Sequence, residues 1–96
     1  MREIDFTQAK REGKGFQFPG EFEITAVGKA EAGLPTRVPE LLTRAGLEVR
    51  HETVRERASA AGNYVSVTIS FHCCTREEYE MAHAVLRADE AVRYTL

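Results

Sequence analysis

Gly62-Asn63-Tyr64-Val65-Ser66-Val67-Thr68-Ile69-Ser70-Phe71-His72-Cys73 decides how the rest of the 96-residue chain is read. From Tyr64 onward polar and apolar residues alternate, so Val65, Val67, Ile69, Phe71 and Cys73 share one face, and Tyr64, Ser66, Thr68, Ser70 and His72 share the other. This is the pattern of a central strand with one buried face. Gly62-Asn63 can supply the positive φ angles of a tight turn, so the strand is entered through a hairpin.

Upstream of that hairpin, Leu47 to Ser59 begins with Leu47 and Val49 inward. It then gathers Arg50, His51, Glu52, Arg55, Glu56 and Arg57 around a single Val54. Only an edge strand tolerates that density of charge. Downstream, Thr75-Arg76-Glu77-Glu78 is a capping box. Thr75 is expected to accept from the N3 amide and Glu78 to reach back to the Thr75 amide. Tyr79, Ala82, Val85 and Leu86 then form the stripe of a helix, and Val92, Tyr94 and Leu96 are expected inward on a last strand.

Earlier in the chain, Glu21 to Gly28 alternates with Phe22, Ile24 and Ala26 inward, although Val27 blurs the pattern. Lys29 to Gly33 reads as a small loop. Thr36 is expected to cap a helix carrying Val38, Leu41, Leu42 and Ala45 at i, i+3, i+4, i+7, with Pro39 in its first turn and Gly46 as its left-handed stop. Residues 1–17 mix bases, acids and glycines with few large apolar side chains, and are expected to be a flexible tail ahead of a domain over 18–96.

The order strand, helix, strand, strand, helix, strand is two similar βαβ units joined by a hairpin. It specifies an α+β fold, the ferredoxin-like βαββαβ sandwich, with a four-stranded antiparallel sheet of order 4-1-3-2 and both helices on one face. The buried face takes Phe22, Ile24, Val65, Val67, Ile69, Phe71, Val92 and Tyr94. Glu23, Thr25, Tyr64, Ser66, Thr68 and Arg93 are left on an open polar face.

Thirteen basic against 15 acidic residues give a net charge of −2, so no global positive field draws the chain to nucleic acid or an anionic membrane. No apolar run approaches the ~20 residues that span a bilayer, and the N-terminal stretch lacks the apolar centre of a secretory signal. The expected location is the cytoplasm. Cys73 and Cys74 are the only cysteines, and as neighbours on a strand they point apart, which is thiol usage of a reducing compartment.

No catalytic constellation, metal set or cofactor motif emerges. His72-Cys73-Cys74 lacks metal-ligand spacing, and His51 and His83 read as solvated side chains. Acylphosphatases of this fold carry an arginine-bearing phosphate loop after strand one, where this chain has Lys29 to Gly33. RNA-recognition domains of this fold stack bases on two or three open-face aromatics, where Tyr64 alone is expected here.

Ser59-x-x-Gly62-Asn63-Tyr64-x-Ser66-Val67, with Phe18-Pro19, Val27-Gly28 and the closing Val92-Arg93-Tyr94-Thr95-Leu96, resembles the YbeD-like family of small bacterial proteins over about residues 18–96. The resemblance implies a ferredoxin-like, ACT-like regulatory domain and a link to lipoate metabolism through a lipoyl octanoyltransferase partner. ACT modules carry an Asp-x-x-Pro-Gly type loop, where this chain has Gly33-Leu34-Pro35 without the aspartate. Two readings follow. One is a non-enzymatic regulatory or interaction module with a protein partner, which includes a homodimer through sheet edges, and no nucleic acid or membrane. The other is a sensor of an amino acid or acyl metabolite around Gly28 to Pro35. Gly28, Gly33, Asn63, Tyr64 and Ser66 are the candidate binding residues, and Tyr64 is the leading one.

Overall fold

The computed structural model describes residues 17–96. The expected tail, apart from Gln17, lies outside the described residues. Strand β1 (Gly20–Lys29) runs into a short 3-10 turn (Ala30–Ala32) and helix α1 (Leu34–Arg44). Strands β2 (Glu48–Ala58) and β3 (Tyr64–Cys73) form the hairpin, and helix α2 (Arg76–Arg87) leads to strand β4 (Val92–Thr95). All pairings are antiparallel in the order β2-β3-β1-β4, which is the expected ferredoxin-like topology with β3 and β1 in the middle. Among the described residues no helix is long and apolar enough to cross a membrane.

The alternation of β3 is realised in full. Val65, Val67, Ile69, Phe71 and Cys73 are buried beneath the helices, and Ile24 and Ala26 of β1 join them. Helix α1 contributes Leu34, Val38 and Leu42, and α2 contributes Ala82 and Leu86. Burying each such aliphatic side chain is worth about 1.5–3 kcal/mol, so this single layer between sheet and helices is the main stabilising element. Phe18, Phe22, Tyr79 and His83 extend it as a half-buried aromatic group, with the Phe22 and Tyr79 rings 5.4 Å apart and Tyr79 and His83 5.0 Å apart. His83, expected to be solvated, is instead packed on Tyr79 with Nδ1 2.9 Å from Thr95 Oγ1, and burial followed by the nearby Arg87 charge lowers its pKa.

Helix α1 departs from expectation at its start. Thr36 is not its cap. Gly33 occupies that place at φ +73°, and its carbonyl accepts from the Thr36 and Arg37 amides. Starting three residues early lets Pro35 use its fixed φ near the helix N-terminus and lets Leu34 drop into the core. Pro39 is consequently in the helix interior and buried, so the Pro35 carbonyl has no i+4 amide to accept from. The other end is as read. Gly46 at φ +90° donates to the Thr43 carbonyl and Leu47 to the Leu42 carbonyl, the paired bonds of a Schellman stop.

Helix α2 is capped by Thr75, whose Oγ1 accepts from the Glu78 amide at 3.2 Å. The return arm differs by one residue, because Glu78 Oε1 accepts from the Cys74 amide at 2.9 Å and not from Thr75.

Both edge strands are irregular. Strand β2 pairs Arg50 with Ser70 and then Arg55 with Thr68, so several residues bulge out. Thr53 repairs the gap: its Oγ1 accepts from the Ser70 amide at 2.9 Å and donates to the Arg50 carbonyl at 2.6 Å. A charged, bulged edge resists uncontrolled strand pairing. Strand β4 carries the second irregularity, and it reshapes the open face.

Candidate functional site

Strict alternation places Val92, Tyr94 and Leu96 together, and the structure overturns that. Gly28 opposes Val92, whereas Val27 opposes Tyr94 and Ala26 opposes Thr95, so β4 contains one residue more than β1 between these points. The bulge switches the strand's parity after Val92. Val92 is buried (7 % exposed), but Tyr94 (51 %) and Leu96 (71 %) stand on the open face, and Leu96 pairs with Thr25 through both backbone bonds. Tyr94 is therefore not part of the core.

Gly28 is why the two strands come so close here. A Cβ at Gly28 would sit 2.2 Å from the Ala91 carbonyl oxygen and 2.8 Å from Leu34 Cδ1. Ala91 is in turn fixed by Asp89, whose Oδ2 accepts its amide at 3.2 Å and whose carboxylate takes both Arg37 donors at 2.7 and 3.0 Å. The Arg37 guanidinium holds the Asp89 carboxyl below its ordinary pKa.

The open face divides into two halves with different chemistry. Near the start of β1, Glu21 and Glu48 flank His72, and Glu23 and Arg50 flank Ser70 in the register. Arg50 reaches Glu21 at 2.8 Å and Glu48 at 3.1 Å, His72 Nδ1 lies 3.0 Å from Glu21, and Arg55 reaches Glu23 at 3.3 Å. The hydrogen bonds from Arg50, and then from His72, hold the Glu21 carboxyl down at about 2. This half neutralises itself.

The other half is apolar at its centre and cationic at its sides. Ser66 and Val27 form a low floor, with Tyr64, Tyr94 and Leu96 rising around it, and Arg57 and Arg93 flank a concavity of about 710 Å³. The Arg93 guanidinium lies 5.5 Å from the Tyr64 ring centroid, and its Nη1 donates to the Tyr64 hydroxyl at 3.3 Å. Thr25 and Thr68 hydroxyls bond each other at 2.8 Å at the border between the halves. Among the described residues no Asp or Glu side chain lines the concavity.

Of the sequence candidates, Tyr64 and Ser66 line this concavity, with the Ser66 hydroxyl donating to the Arg57 carbonyl at 3.4 Å. Asn63 is exposed at the hairpin corner, where its carbonyl accepts from the Ala30 amide at 3.0 Å. Gly28 and Gly33 belong to the strand-to-helix connection. The space beside Gly28 is filled by Ala91 and Leu34, and Gly33 is exposed and serves as the helix cap. Sequence reasoning missed Tyr94, Leu96, Arg57 and Val27 as parts of a site. One signal was present: Val27, an apolar residue at an outward position, marks this end of the open face as apolar.

The two cysteines are separated as expected. Cys73 is fully buried, and that burial, with Glu78 and Cys74 adding to it, pushes its thiol up to about 11. Cys74 is exposed, and both thiols are free. Among the described residues no group of three His, Cys, Asp or Glu side chains is placed to hold a metal ion.

This arrangement, two helices on one face of a β2-β3-β1-β4 sheet, is the ACT-like, ferredoxin-like class of α+β domain. Its fold is similar to the ACT domain of the GTP pyrophosphokinase of Chlorobium tepidum, with a TM-score of 0.62, 13 % identity, and coverage of 79 % of this chain and 94 % of that one. A protein of H. pylori solved in solution matches with a TM-score of 0.65 at 14 % identity over 92 % of each chain. At these identities the likeness concerns the fold.

The chain belongs to the bacterial family described as protein of unknown function (DUF493), which matches residues 14–96. A UPF0250 protein of Xylella fastidiosa is 50 % identical over 82 residues, covering 85 % of this chain and 89 % of the relative. The UPF0250 proteins of Xanthomonas campestris and Stenotrophomonas maltophilia are 48 % and 46 % identical over the same spans. The resemblance read from Asn63-Tyr64 and the closing Val92 to Leu96 is to this family.

Proposed function

We propose that the protein is a non-enzymatic interaction module of the bacterial cytoplasm that docks a protein partner on the Tyr64, Tyr94 and Leu96 end of its open sheet face. One observation carries this reading. Of the four exposed large hydrophobic side chains among the described residues, Tyr64, Tyr94, Met81 and Leu96, three converge on a single concavity. Tyrosines beside arginines in a desolvatable hollow are the usual anchors of protein interfaces, and an apolar group left in water gains free energy when covered. The reading is also supported by the buried state of Cys73, which leaves that thiol unsuited to nucleophilic work.

Sensing of an amino acid or acyl metabolite at Gly28 to Pro35 is the second reading. It has less support, because the space against Gly28 is filled from within the fold. The family resemblance supplies the first partner to try, a lipoyl octanoyltransferase, and the free edges of β2 and β4 supply the second, another copy of this chain. The test is affinity capture and co-chromatography with the tagged protein beside a Tyr94→Ser, Leu96→Ser variant of unchanged fold. A partner retained by the first and lost by the second is expected. Identical capture by both proteins would overturn the assignment to this face.

A further inference from the structure

The chemistry of the partner can be read from the charges around the concavity, on the premise that this face is a docking surface. The eight arginines of residues 17–96 sort sharply. Arg37, Arg44, Arg50, Arg55 and Arg76 each have a carboxylate within 4.0 Å. Arg57, Arg87 and Arg93 have none among the described residues. Arg87 lies on α2 and donates to Thr95 Oγ1. The other two are the ones that flank the concavity. Lys29, exposed and opposite Tyr64 in the register, adds a third cation with no carboxylate partner among the described residues at the same end.

An occupant that covers Tyr94 and Leu96 also withdraws water from Arg57 and Arg93. A guanidinium taken out of water without a counter-charge is penalised heavily enough to cancel what the apolar contact contributes. The occupant must therefore bring anions as well as an apolar anchor. Carboxylates suit the guanidinium fork, because two parallel N–H···O bonds form at once.

We propose that the partner presents an acidic segment, in which Asp or Glu side chains flank an aromatic or aliphatic residue, to the hollow between Arg57, Arg93, Tyr94 and Leu96. The observations favour such a segment over a single-stranded nucleic acid. Arg93 already lies over the Tyr64 ring, so a base does not find that ring bare, and a strand continuing along the sheet meets Glu21, Glu23 and Glu48. A protein segment can present its charges at one end only. It thereby leaves the self-neutralised half untouched.

The test is selection of a random peptide library on the full-length protein, followed by fluorescence anisotropy on the enriched peptides. Variants Arg57→Glu with Arg93→Glu, Arg57→Lys with Arg93→Lys, and Tyr94→Ser with Leu96→Ser are measured beside the wild type, each checked for a native circular dichroism spectrum. Enriched sequences are expected to combine Asp or Glu with Phe, Tyr or Leu. Charge reversal is expected to weaken binding at least ~10-fold and lysine substitution by less, with binding falling as salt is raised towards ~0.3 M. Enriched peptides without acids, or equal binding to the charge-reversed protein, would overturn the proposal. So would tighter binding of an oligothymidylate in the same assay. Peptides that depend on Tyr94 and Leu96 but ignore the arginines would leave the docking face standing and remove its acidic partner. No enrichment, or peptides indifferent to every variant, would remove both.

Discussion

Gly28→Ala is the substitution that most directly tests how β4 is seated. The added Cβ meets the Ala91 carbonyl oxygen at 2.2 Å, so that backbone group must retreat by about 1 Å to restore van der Waals separation. Ala91 has no slack, because its amide is held by Asp89 and Asp89 is held by Arg37. Overpacking of this kind costs about 1–3 kcal/mol, and losing the Asp89 bond to Ala91 adds about 1 kcal/mol. Alanine in place of glycine within a strand returns about 0.5–1 kcal/mol. The expected net loss is about 1–3.5 kcal/mol, read as a lowered urea midpoint or as a fall in Tm of roughly 5–25 °C for a domain of this size. Gly33→Ala is the companion, where nothing lies within 4 Å but φ is +73°, so a loss of about 1 kcal/mol from backbone strain alone is expected. A Gly28→Ala protein within about 0.5 kcal/mol of wild type would refute the argument, because it would mean that the Ala91 carbonyl does not occupy this space.

Val92→Ala is expected to cost about 2 kcal/mol and Tyr94→Ala less than about 0.5 kcal/mol, because one is buried and the other is half exposed, and equal losses would contradict the bulge. Thr75→Ala removes the acceptor of the Glu78 amide and should cost about 1 kcal/mol in chemical denaturation. His83 has a lowered folded pKa, so stability is complete above the ordinary imidazole value of 6.5 and declines as pH falls through it, until the folded imidazole also protonates. Glu21, held at about 2, keeps its contribution above its ordinary 4.5 and loses it between that value and about 2. A His83→Gln protein should therefore show a shallower loss than wild type just below pH 6.5, and parallel curves would refute the assignment. Iodoacetamide at neutral pH should modify one thiol of the folded protein, Cys74, with Cys73 reacting only on unfolding, as peptide mapping will show.

The sheet order and the buried face of β3 were legible because alternation is a local property that a regular ladder preserves. Val65 to Cys73 pairs with Gly20 to Gly28 without interruption, so the faces read from sequence are those of the fold. The start of α1 was misread for a different reason. Thr36 satisfies the statistics of a cap, yet the chain gains more by placing Leu34 under Gly28, and Gly33 can adopt the left-handed geometry this needs. Local preference yielded to burial. The edge strand β2 was legible as an edge from its charge, whereas its bulge depends on the Thr53 hydroxyl standing in for a ladder bond, which no periodicity encodes.

The site was the least legible part, and a single extra residue is responsible. Parity along a strand is carried forward from each residue to the next, so one bulge reverses every assignment beyond it. With β4 continuous, Tyr94 and Leu96 would add to the core, and the open face would hold Tyr64 as its one aromatic. With the bulge, both side chains cross to the open face and meet Val27, Tyr64, Arg57 and Arg93. The cost of exposing them within the monomer is tolerable, because α2 fills the core with Ala82 and Leu86 and Val92 closes its end. A fold that needed only stability would gain by turning Tyr94 and Leu96 inward. That this one turns them outward, beside two arginines that have no carboxylate within 4.0 Å among the described residues, is the physical argument behind the proposed docking face.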